Sequence, residues 1–158
     1  MDIRRLAESD LPAFVDDCYL PFAREMAEMD EYNALVDEKR VRESNVAYRR
    51  DQLAKSDTRI WVAEGESGAL AGYVCASVKD SPPIFARGAT LSVAELYVRP
   101  EHRGEGVAGD LLDRAAAWGE ERGCERLGLS VNAGNDRARA FYENRGLSVR
   151  RLKLDRPL

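Results

Sequence analysis

Three glycines in a short stretch, Gly104, Gly106 and Gly109, are the first residues whose spacing suggests chemistry. A glycine has no side chain, so backbone N–H groups at these positions can approach a ligand closely. A helix that starts near Gly106 would point its unpaired N–H groups and the positive end of its dipole at the same space. This arrangement predicts a binding site for a phosphate or pyrophosphate group.

The same stretch, Gly104 to Gly109, also satisfies the G-x-G-x-x-G pattern of dinucleotide-binding sites. Two features argue against that interpretation. Residues 99–103 separate the preceding strand from the first glycine, and Val131 and Asn132 stand where an acidic residue is expected about 20 positions further on. A Walker A loop is excluded as well, because no Gly-Lys-Ser/Thr follows the glycines. The pattern therefore favours a pyrophosphate site outside the dinucleotide-binding fold.

Composition narrows the classes of function. A formal net charge of −4 gives no attraction to nucleic acid or to an anionic membrane. No apolar run approaches the ~20 residues that cross a bilayer, and the N-terminal segment has no apolar signal region. Cys18, Cys75 and Cys124 lack metal-ligand spacing, and we interpret the single histidine, His102, as an exposed loop residue. We therefore predict a cytoplasmic protein with free thiols and no metal.

The elements that must position the glycines follow from hydrophobic periodicity and turn residues. Pro12 fits the first turn of a helix, which Pro21 should kink or divide. The order of elements indicates an α+β domain, with one sheet between helices on both faces. We predict strands at 2–6, 58–64, 69–79, 90–98, 126–131 and 147–154, and further helices at 34–55, 106–122 and 136–145.

The glycine loop and a later segment together resemble a known family. Arg103-x-x-Gly106-x-Ala108 is similar to the pyrophosphate-binding motif Gln/Arg-x-x-Gly-x-Gly/Ala of the GNAT family of N-acetyltransferases. Asn132, Asn135 and the segment 141–147 resemble the second cofactor segment of that family. The matching stretch covers residues 94–147. The resemblance implies one N-acetyltransferase domain over residues 1–158, with a mixed, largely antiparallel sheet flanked by helices in the order β-α-α-β-β-β-α-β-α-β.

The resemblance also implies a role for each matching position. Backbone groups of Leu96, Tyr97 and Val98 would pair with the pantetheine arm and hold the acetyl carbonyl. Arg103 would add a positive charge at the rim of the pyrophosphate site. Asn135 matches a position that bonds the pantetheine or phosphate side of coenzyme A. The backbone N–H groups that would wrap the pyrophosphate are those of Gly104, Glu105, Gly106, Val107, Ala108 and Gly109.

The implied reaction needs few side chains. A neutral amine attacks the thioester of acetyl-CoA, backbone N–H groups stabilise the oxyanion, and a thiolate leaves. Tyr142 matches the tyrosine near the sulfur, and a phenol of pKa ~10 can protonate that thiolate, although a packing role for Tyr142 stays open. Glu95 is the candidate base. Strand alternation puts Val93, Glu95 and Tyr97 on one face unless a bulge intervenes. Alternatively, Glu95 pairs with an arginine or only attracts the substrate cation.

We therefore expect direct acetyl transfer from acetyl-CoA to a primary amine of a small molecule or peptide, without nucleic acid or membrane partners. The alternative is a non-catalytic acyl-CoA-binding or regulatory module on the same fold. The tail after Gly146 is short for the family's closing strands, so completion by a second copy in a homodimer is an open possibility. A basic cluster would contact the 3′-phosphate of coenzyme A or form a solvated face; its members are Arg145, Arg150, Arg151 and Lys153.

Overall fold

A five-stranded sheet forms the centre of the protein, and the computed structural model describes all residues from 1 to 158. The strands lie side by side in sequence order, β1-β2-β3-β4-β5. The first four are antiparallel, and β5 runs parallel to β4. β-Branched and aromatic residues make up much of the central strands, which suits a pleated and buried surface. The strands are β1 (Asp2–Arg5), β2 (Thr58–Glu64), β3 (Leu70–Lys79), β4 (Thr90–Val98) and β5 (Arg126–Leu129).

Helices cover both faces of the sheet. The first two, α1 and α2, form one continuous helix that contains a π turn over Val15–Tyr19. This turn lies just before Pro21, which lacks an N–H group and whose ring clashes with the backbone four residues earlier. The predicted kink at Pro21 therefore takes the form of a wider turn within an unbroken helix. No helix combines the length and the apolar character needed to span a bilayer. The helices are α1 (Leu11–Phe14), α2 (Leu20–Met29), α3 (Glu38–Leu53), α4 (Val107–Glu121) and α5 (Asp136–Asn144).

The sheet separates two apolar cores, because successive side chains of each strand point to opposite faces. Ile60 and Val62 of β2 join the core under α1, α2 and α3. Trp61 and Ala63 of the same strand join the core under α4 and α5. Each core contains 13 buried residues, so both faces hold the sheet in place. The predicted α+β class, with a mixed and largely antiparallel sheet between helices, is confirmed.

A bulge in β4 changes which residues share a face. Cys75 of β3 pairs with Glu95, but Ala76 pairs with Val93, so Ala94 has no partner in the register. The extra residue shifts the alternation by one position. Val93 therefore packs in the core under α4, whereas Tyr97 packs in the core under α1. The predicted common face of Val93, Glu95 and Tyr97 is thus wrong for Val93, which lies on the opposite face of the sheet.

The predicted closing strand at 147–154 is also wrong. Every residue from 148 to 158 is exposed and has no regular secondary structure. The apolar positions change face within the segment, since Leu147 and Val149 share one side and Leu152 and Leu154 share the other. The outer edge of β5 consequently has no neighbouring strand. The order of regular elements therefore ends at α5.

Candidate functional site

The loop between β4 and α4 presents a row of free backbone donors. Gly104 and Gly106 have φ angles of +80° and +84°, which a residue with a side chain rarely adopts. None of the backbone N–H groups from residue 104 to residue 109 donates a hydrogen bond within the protein. An added Cβ at Gly104 or Gly106 would meet nothing within 4 Å. The loop therefore offers six consecutive N–H groups to an anion at the N-terminus of α4, the geometry in which proteins hold phosphates.

Arg103 turns its charge inward, away from this opening. Its Nε donates to the Val98 carbonyl at 2.8 Å, and its Nη2 donates to both carboxylate oxygens of Glu25 at 2.7 and 3.0 Å. The guanidinium also lies over the Tyr97 ring, 5.6 Å from the centroid. The structure thus departs from the expected free cation at the rim. Arg103 instead ties the loop to β4 and α2, and the Val98 carbonyl is already in use.

A cleft opens where β4 and β5 part. The two strands pair from Thr90 to Val93 only, so the backbone of β4 beyond Val93 has no strand on that side. Helix α2 contributes Phe22 and Met26 to the wall of the cleft. Of the predicted site residues, the structure brings Glu95, Leu96, Asn135 and Tyr142 together in its lining.

Glu95 is held in the cleft by a buried arginine that the sequence analysis missed. Arg49 of α3 is 0% exposed, and its Nη2 donates to Glu95 Oε2 at 2.6 Å. The hydroxyl of Tyr73 donates to the same oxygen. Oε1 of Glu95 makes no hydrogen bond within the protein, and the side chain retains 16% exposure. One oxygen of the carboxylate is therefore fixed, and the other is available to a ligand.

The other two nitrogens of the Arg49 guanidinium each donate a hydrogen bond to a residue of the same helix. Nη1 donates to Gln52 Oε1 at 2.9 Å, and Nε donates to Asn45 Oδ1 at 3.2 Å. The guanidinium also lies over four aromatic rings, those of Phe14, Tyr19, Tyr48 and Tyr73, at 4.9 to 5.7 Å from their centroids.

The charge of this pair perturbs its neighbours. Burial alone would lower the pKa of the Arg49 guanidinium, but the attraction and hydrogen bond of Glu95, together with the smaller effects of Tyr73 and Cys75, outweigh burial and raise that pKa. Burial, followed by the nearby Glu95 charge, raises the pKa of Tyr73 well above 10 and the pKa of Cys75 to about 11. Arg49 is therefore permanently charged, and the Tyr73 hydroxyl and the Cys75 thiol remain neutral at physiological pH.

Tyr142 projects from α5 into the same cleft. Its ring packs edge-on against Phe141, with the centroids 5.2 Å apart, and both rings border the core under α4. Burial raises the pKa of the Tyr142 phenol above 10, and its hydroxyl has no hydrogen-bond partner in the protein. Tyr142 thus packs against the core under α4 and also lines the cleft, where no protein group binds its hydroxyl.

Hydrogen bonds and ion pairs connect α2 and the residue after it to both sides of the cleft. Glu25 holds Arg103 on the β4 side, and its Oε2 lies 3.8 Å from Arg137 of α5. Asp30 Oδ2 accepts from Asn132 Nδ2 at 3.1 Å on the β5 side. Asn135 caps α5 by accepting from the N–H of Ala138, so its amide NH₂ group remains available. Of these residues, the sequence analysis singled out Arg103, Asn132 and Asn135 as cofactor candidates.

Other candidate residues lie away from the cleft. His102 is in the loop before α4, with Nδ1 3.7 Å from Glu105. Cys18 and Cys75 are buried free thiols, and Cys124 is partly exposed. Arg145 is used structurally, since it bonds Asp113 and donates to the Gly109 carbonyl at 3.3 Å.

Comparison with known proteins identifies a family. The sequence model of the acetyltransferase (GNAT) family matches residues 21–147. An uncharacterized N-acetyltransferase of Archaeoglobus fulgidus is 31% identical over 148 residues, which are 93% of this chain and 92% of that protein.

Solved structures share the fold. A mutant of the BH1408 protein from Bacillus halodurans superposes with a TM-score of 0.89 at 19% identity, over 100% of this chain and 99% of that chain. A predicted acetyltransferase from Clostridium acetobutylicum, solved with acetyl-CoA, gives a TM-score of 0.73 at 21% identity, over 98% and 95% of the two chains. At these identities, the structures support the architecture rather than particular residues.

Proposed function

The chain belongs to the acetyltransferase (GNAT) family, and from this premise we propose how its own residues transfer an acetyl group from acetyl-CoA to an amine. The observation that carries the proposal is the row of six free N–H groups from residue 104 to 109, in the loop that follows β4, whose residues 93–96 line the cleft. Acetyl-CoA joins a pyrophosphate to a thioester through an extended arm. A donor-rich loop next to an open strand edge fits both parts.

The cofactor arm would follow the exposed edge of β4. The N–H groups of the glycine loop would bind the pyrophosphate, and free backbone groups of Leu96 and Tyr97 would pair with the pantetheine. The NH₂ group of Asn135 faces the same cleft and would add a donor. Arg103 would act by fixing the loop against β4 and Glu25, because its guanidinium is already bonded to both.

Glu95 and Tyr142 would serve opposite ends of the reaction. The amine arrives as an ammonium ion, which Glu95 Oε1 would bind and deprotonate, directly or through a water molecule. The amine nitrogen then bonds to the acetyl carbon, the carbon–sulfur bond breaks, and the phenol of Tyr142 gives its proton to the departing thiolate. The nitrogen loses its second proton to water, and the Tyr142 phenolate regains a proton from water. The raised pKa of Tyr142 keeps that proton in place over the whole neutral range.

We also propose several properties of the whole protein. The acceptor is a primary amine of a small molecule or a peptide, and transfer is direct. Residues 1–158 form one N-acetyltransferase domain, since one sheet with two cores runs through them. The three free cysteines support a cytoplasmic location. The net charge of −4 supports function without nucleic acid or membrane partners. The open edge of β5 supports a homodimer.

An amine panel tests the proposal. Purified protein is incubated with acetyl-CoA and a set of polyamines, aminoglycosides and lysine peptides, and released coenzyme A is measured with a thiol reagent. We expect at least one amine to be acetylated, with initial velocities that show a ternary complex. Tyr142→Phe should lower kcat by about 10²- to 10⁴-fold without weakening acetyl-CoA binding. Tyr32→Phe is the matched control, because Tyr32 is 84% exposed and lies outside the cleft.

The outcomes separate the enzyme from a binding module. Acetyl-CoA binding without turnover of any primary amine would favour a non-catalytic acyl-CoA-binding protein. Absence of acetyl-CoA binding would refute the role of the glycine loop. If Tyr142→Phe is as active as Tyr32→Phe, the proton comes from another donor.

A further inference from the structure

The cleft between β4 and β5 is mainly apolar around a single carboxylate. Phe22 and Met26, about one helical turn apart on α2, line it from the α2 side. Leu129 and Val131 line it from the β5 side. Glu95 is the only charged residue in the whole lining. A ligand that reaches Glu95 therefore contacts mainly hydrocarbon and aromatic surface along the rest of its length.

The charge of Glu95 is balanced from behind. Arg49 Nη2 lies 2.6 Å from Glu95 Oε2, and the Arg49 side chain is 0% exposed. The pair as a whole has no net charge, so it attracts a distant cation only weakly. Glu95 Oε1 can still accept a charge-assisted hydrogen bond from one ammonium group in direct contact. The site thus favours a single ammonium group, bound by contact rather than by a wide negative field.

The two other carboxylates at the sides of the cleft are already engaged. Glu25 is shared by Arg103, at 2.7 Å, and Arg137, at 3.8 Å, so this group of three has a net positive charge. Asp30 accepts from a backbone N–H with Oδ1 and from the Asn132 amide with Oδ2, both at 3.1 Å. Neither carboxylate belongs to the lining of the cleft. A second ammonium group of an acceptor would therefore find no carboxylate in the cleft to bind.

The cleft is also narrow. Its cavity volume of about 90 Å³ is well below the roughly 300–1,000 Å³ of pockets that enclose a drug-sized ligand. A flexible hydrocarbon chain can enter such a space. A ring system with several polar substituents would have to remain outside, where its amino groups could not reach Glu95.

We propose that the acceptor is a primary monoamine with an unbranched hydrocarbon stem, rather than a polyamine or an aminoglycoside. The ammonium group would bind Glu95 Oε1, and the stem would lie along Phe22, Met26 and Val131. Burial of methylene groups in this lining favours binding, whereas burial of a second, unpartnered charge opposes it. The inference rests on the proposed acetyl transfer and specifies its acceptor.

Two amines of equal length test the charge of the acceptor. Hexylamine and 1,6-diaminohexane present the same primary amine on the same stem, but the diamine ends in a second ammonium group. The release of coenzyme A gives kcat/KM for each amine with the wild-type protein. We expect a kcat/KM at least about tenfold higher for hexylamine, because the second ammonium group would lose water without gaining a carboxylate.

Two single substitutions on α2 form a matched pair. Met26→Glu adds a carboxylate to the lining of the cleft, and Met29→Glu makes the same change on the same helix outside the lining. Neither methionine is buried, so both new carboxylates can be hydrated and both variants should fold. We expect Met26→Glu to shift the ratio of the two kcat/KM values at least about tenfold toward the diamine. Met29→Glu should keep the wild-type ratio.

The outcomes distinguish this inference from the proposed function. Preference for hexylamine, with a shift in Met26→Glu alone, would support a monoamine acceptor. Equal or faster turnover of the diamine by the wild type would overturn the monoamine inference and leave acetyl transfer intact. An unchanged ratio in Met26→Glu, or an equal shift in Met29→Glu, would overturn the placement of the stem along α2. Absence of turnover with every primary amine would overturn the proposed function itself.

Discussion

Replacing Arg49 by methionine removes the buried cation behind Glu95 and keeps most of the packing volume. Arg49 is 0% exposed, whereas the Glu95 side chain retains only 16% exposure. The carboxylate would be left without its partner at the edge of the core, a loss that typically costs about 3–5 kcal/mol. We therefore expect Arg49→Met to lower the free energy of unfolding by about that amount at pH 8. Urea denaturation followed by circular dichroism measures the change.

The stability loss of Arg49→Met should depend on pH in a definite direction. In the Arg49→Met protein, Glu95 can avoid an unpaired charge by taking up a proton in the folded state. Above pH ~4.3, the unfolded chain holds fewer protons at this residue than the folded variant does, so the stability of the variant falls as the pH rises. The loss relative to wild type should thus be smaller at pH 5 than at pH 8.

A double-mutant cycle with Glu95→Gln isolates the pair. A glutamine still accepts a hydrogen bond from Arg49 but leaves the fully buried guanidinium without a counter-charge, so the single Glu95→Gln change should also lower stability markedly. In the double variant, no unpaired charge remains, and the coupling between the two positions should exceed about 1.5 kcal/mol. Arg49→Lys keeps the charge but not the planar guanidinium, so its free energy of unfolding should lie between those of the wild type and Arg49→Met.

Kinetic measurements distinguish a positioning role of Arg49 from a purely structural one, which would leave kcat and KM of the folded protein unchanged. If Arg49 positions Glu95, Arg49→Met should raise KM for the amine and lower kcat at temperatures where the variant is fully folded, with acetyl-CoA binding unchanged. Single-variant losses that simply add in the double variant, within about 0.5 kcal/mol, would refute the coupling. Normal kinetics in folded Arg49→Met would refute the positioning role.

Three further predictions follow from the backbone and from buried groups. Gly106→Ala and Gly123→Ala make the same change at opposite ends of α4, where φ is +84° and +79° and nothing lies within 4 Å of an added Cβ. Each variant should lose roughly 1–2 kcal/mol of stability, but only Gly106→Ala should bind acetyl-CoA at least tenfold more weakly in calorimetry. Equal binding by the two variants would show that the loop is not part of the acetyl-CoA site. At Gly72, an added Cβ would lie 2.5 Å from the Tyr97 carbonyl oxygen, so Gly72→Ala should lower the unfolding midpoint by an amount equivalent to about 1–3 kcal/mol, whereas an unchanged midpoint would show that β3 and β4 separate easily. Burial raises the pKa of Cys18 to about 12 and of Cys75 to about 11. Since these thiols lose their protons at lower pH in the unfolded chain, the free energy of unfolding should fall as the pH rises from 8 to 11. A free energy of unfolding that stays constant over this range would contradict the linkage.

Much of the proposed cofactor side could be predicted from the sequence because it depends on local backbone geometry. Gly104 and Gly106 have the positive φ angles that only glycine adopts easily, and α4 begins directly after them. Strands β2, β3 and β4 matched their predicted limits closely because turn residues bound them. Tyr142 and Asn135 lie where the spacing within the second segment required, on either side of the first turns of α5.

The proposed acceptor side depends on contacts between residues that are far apart in the sequence. Glu95 takes its orientation from a one-residue bulge at Ala94. No local sequence pattern predicts a bulge within an apolar strand. Arg49 lies in α3, whose many charges suggested an exposed helix. A signal was nevertheless present: Asn45, Arg49 and Gln52 continue the helical spacing of Val41, so the buried stripe of α3 is polar over most of its length.

The tail illustrates a different limit. Its alternation predicted a strand, but a strand needs a partner with a free edge and a single apolar face. The pattern describes only the segment itself, and in the structure the segment pairs with no strand, although the outer edge of β5 is free.

The division of the protein into two cores has a consequence for the evolution and redesign of its specificity. The glycine loop and α4 pack on one core, while α1 to α3, Arg49 and the anchored carboxylate of Glu95 belong to the other side of the sheet. Positions that would recognise the amine, apart from Glu25, which bonds Arg103, can thus change without repacking those that would hold acetyl-CoA. A mutational library restricted to exposed positions of α2 and α3 should yield proteins with new acceptors and an unaltered affinity for the acetyl donor.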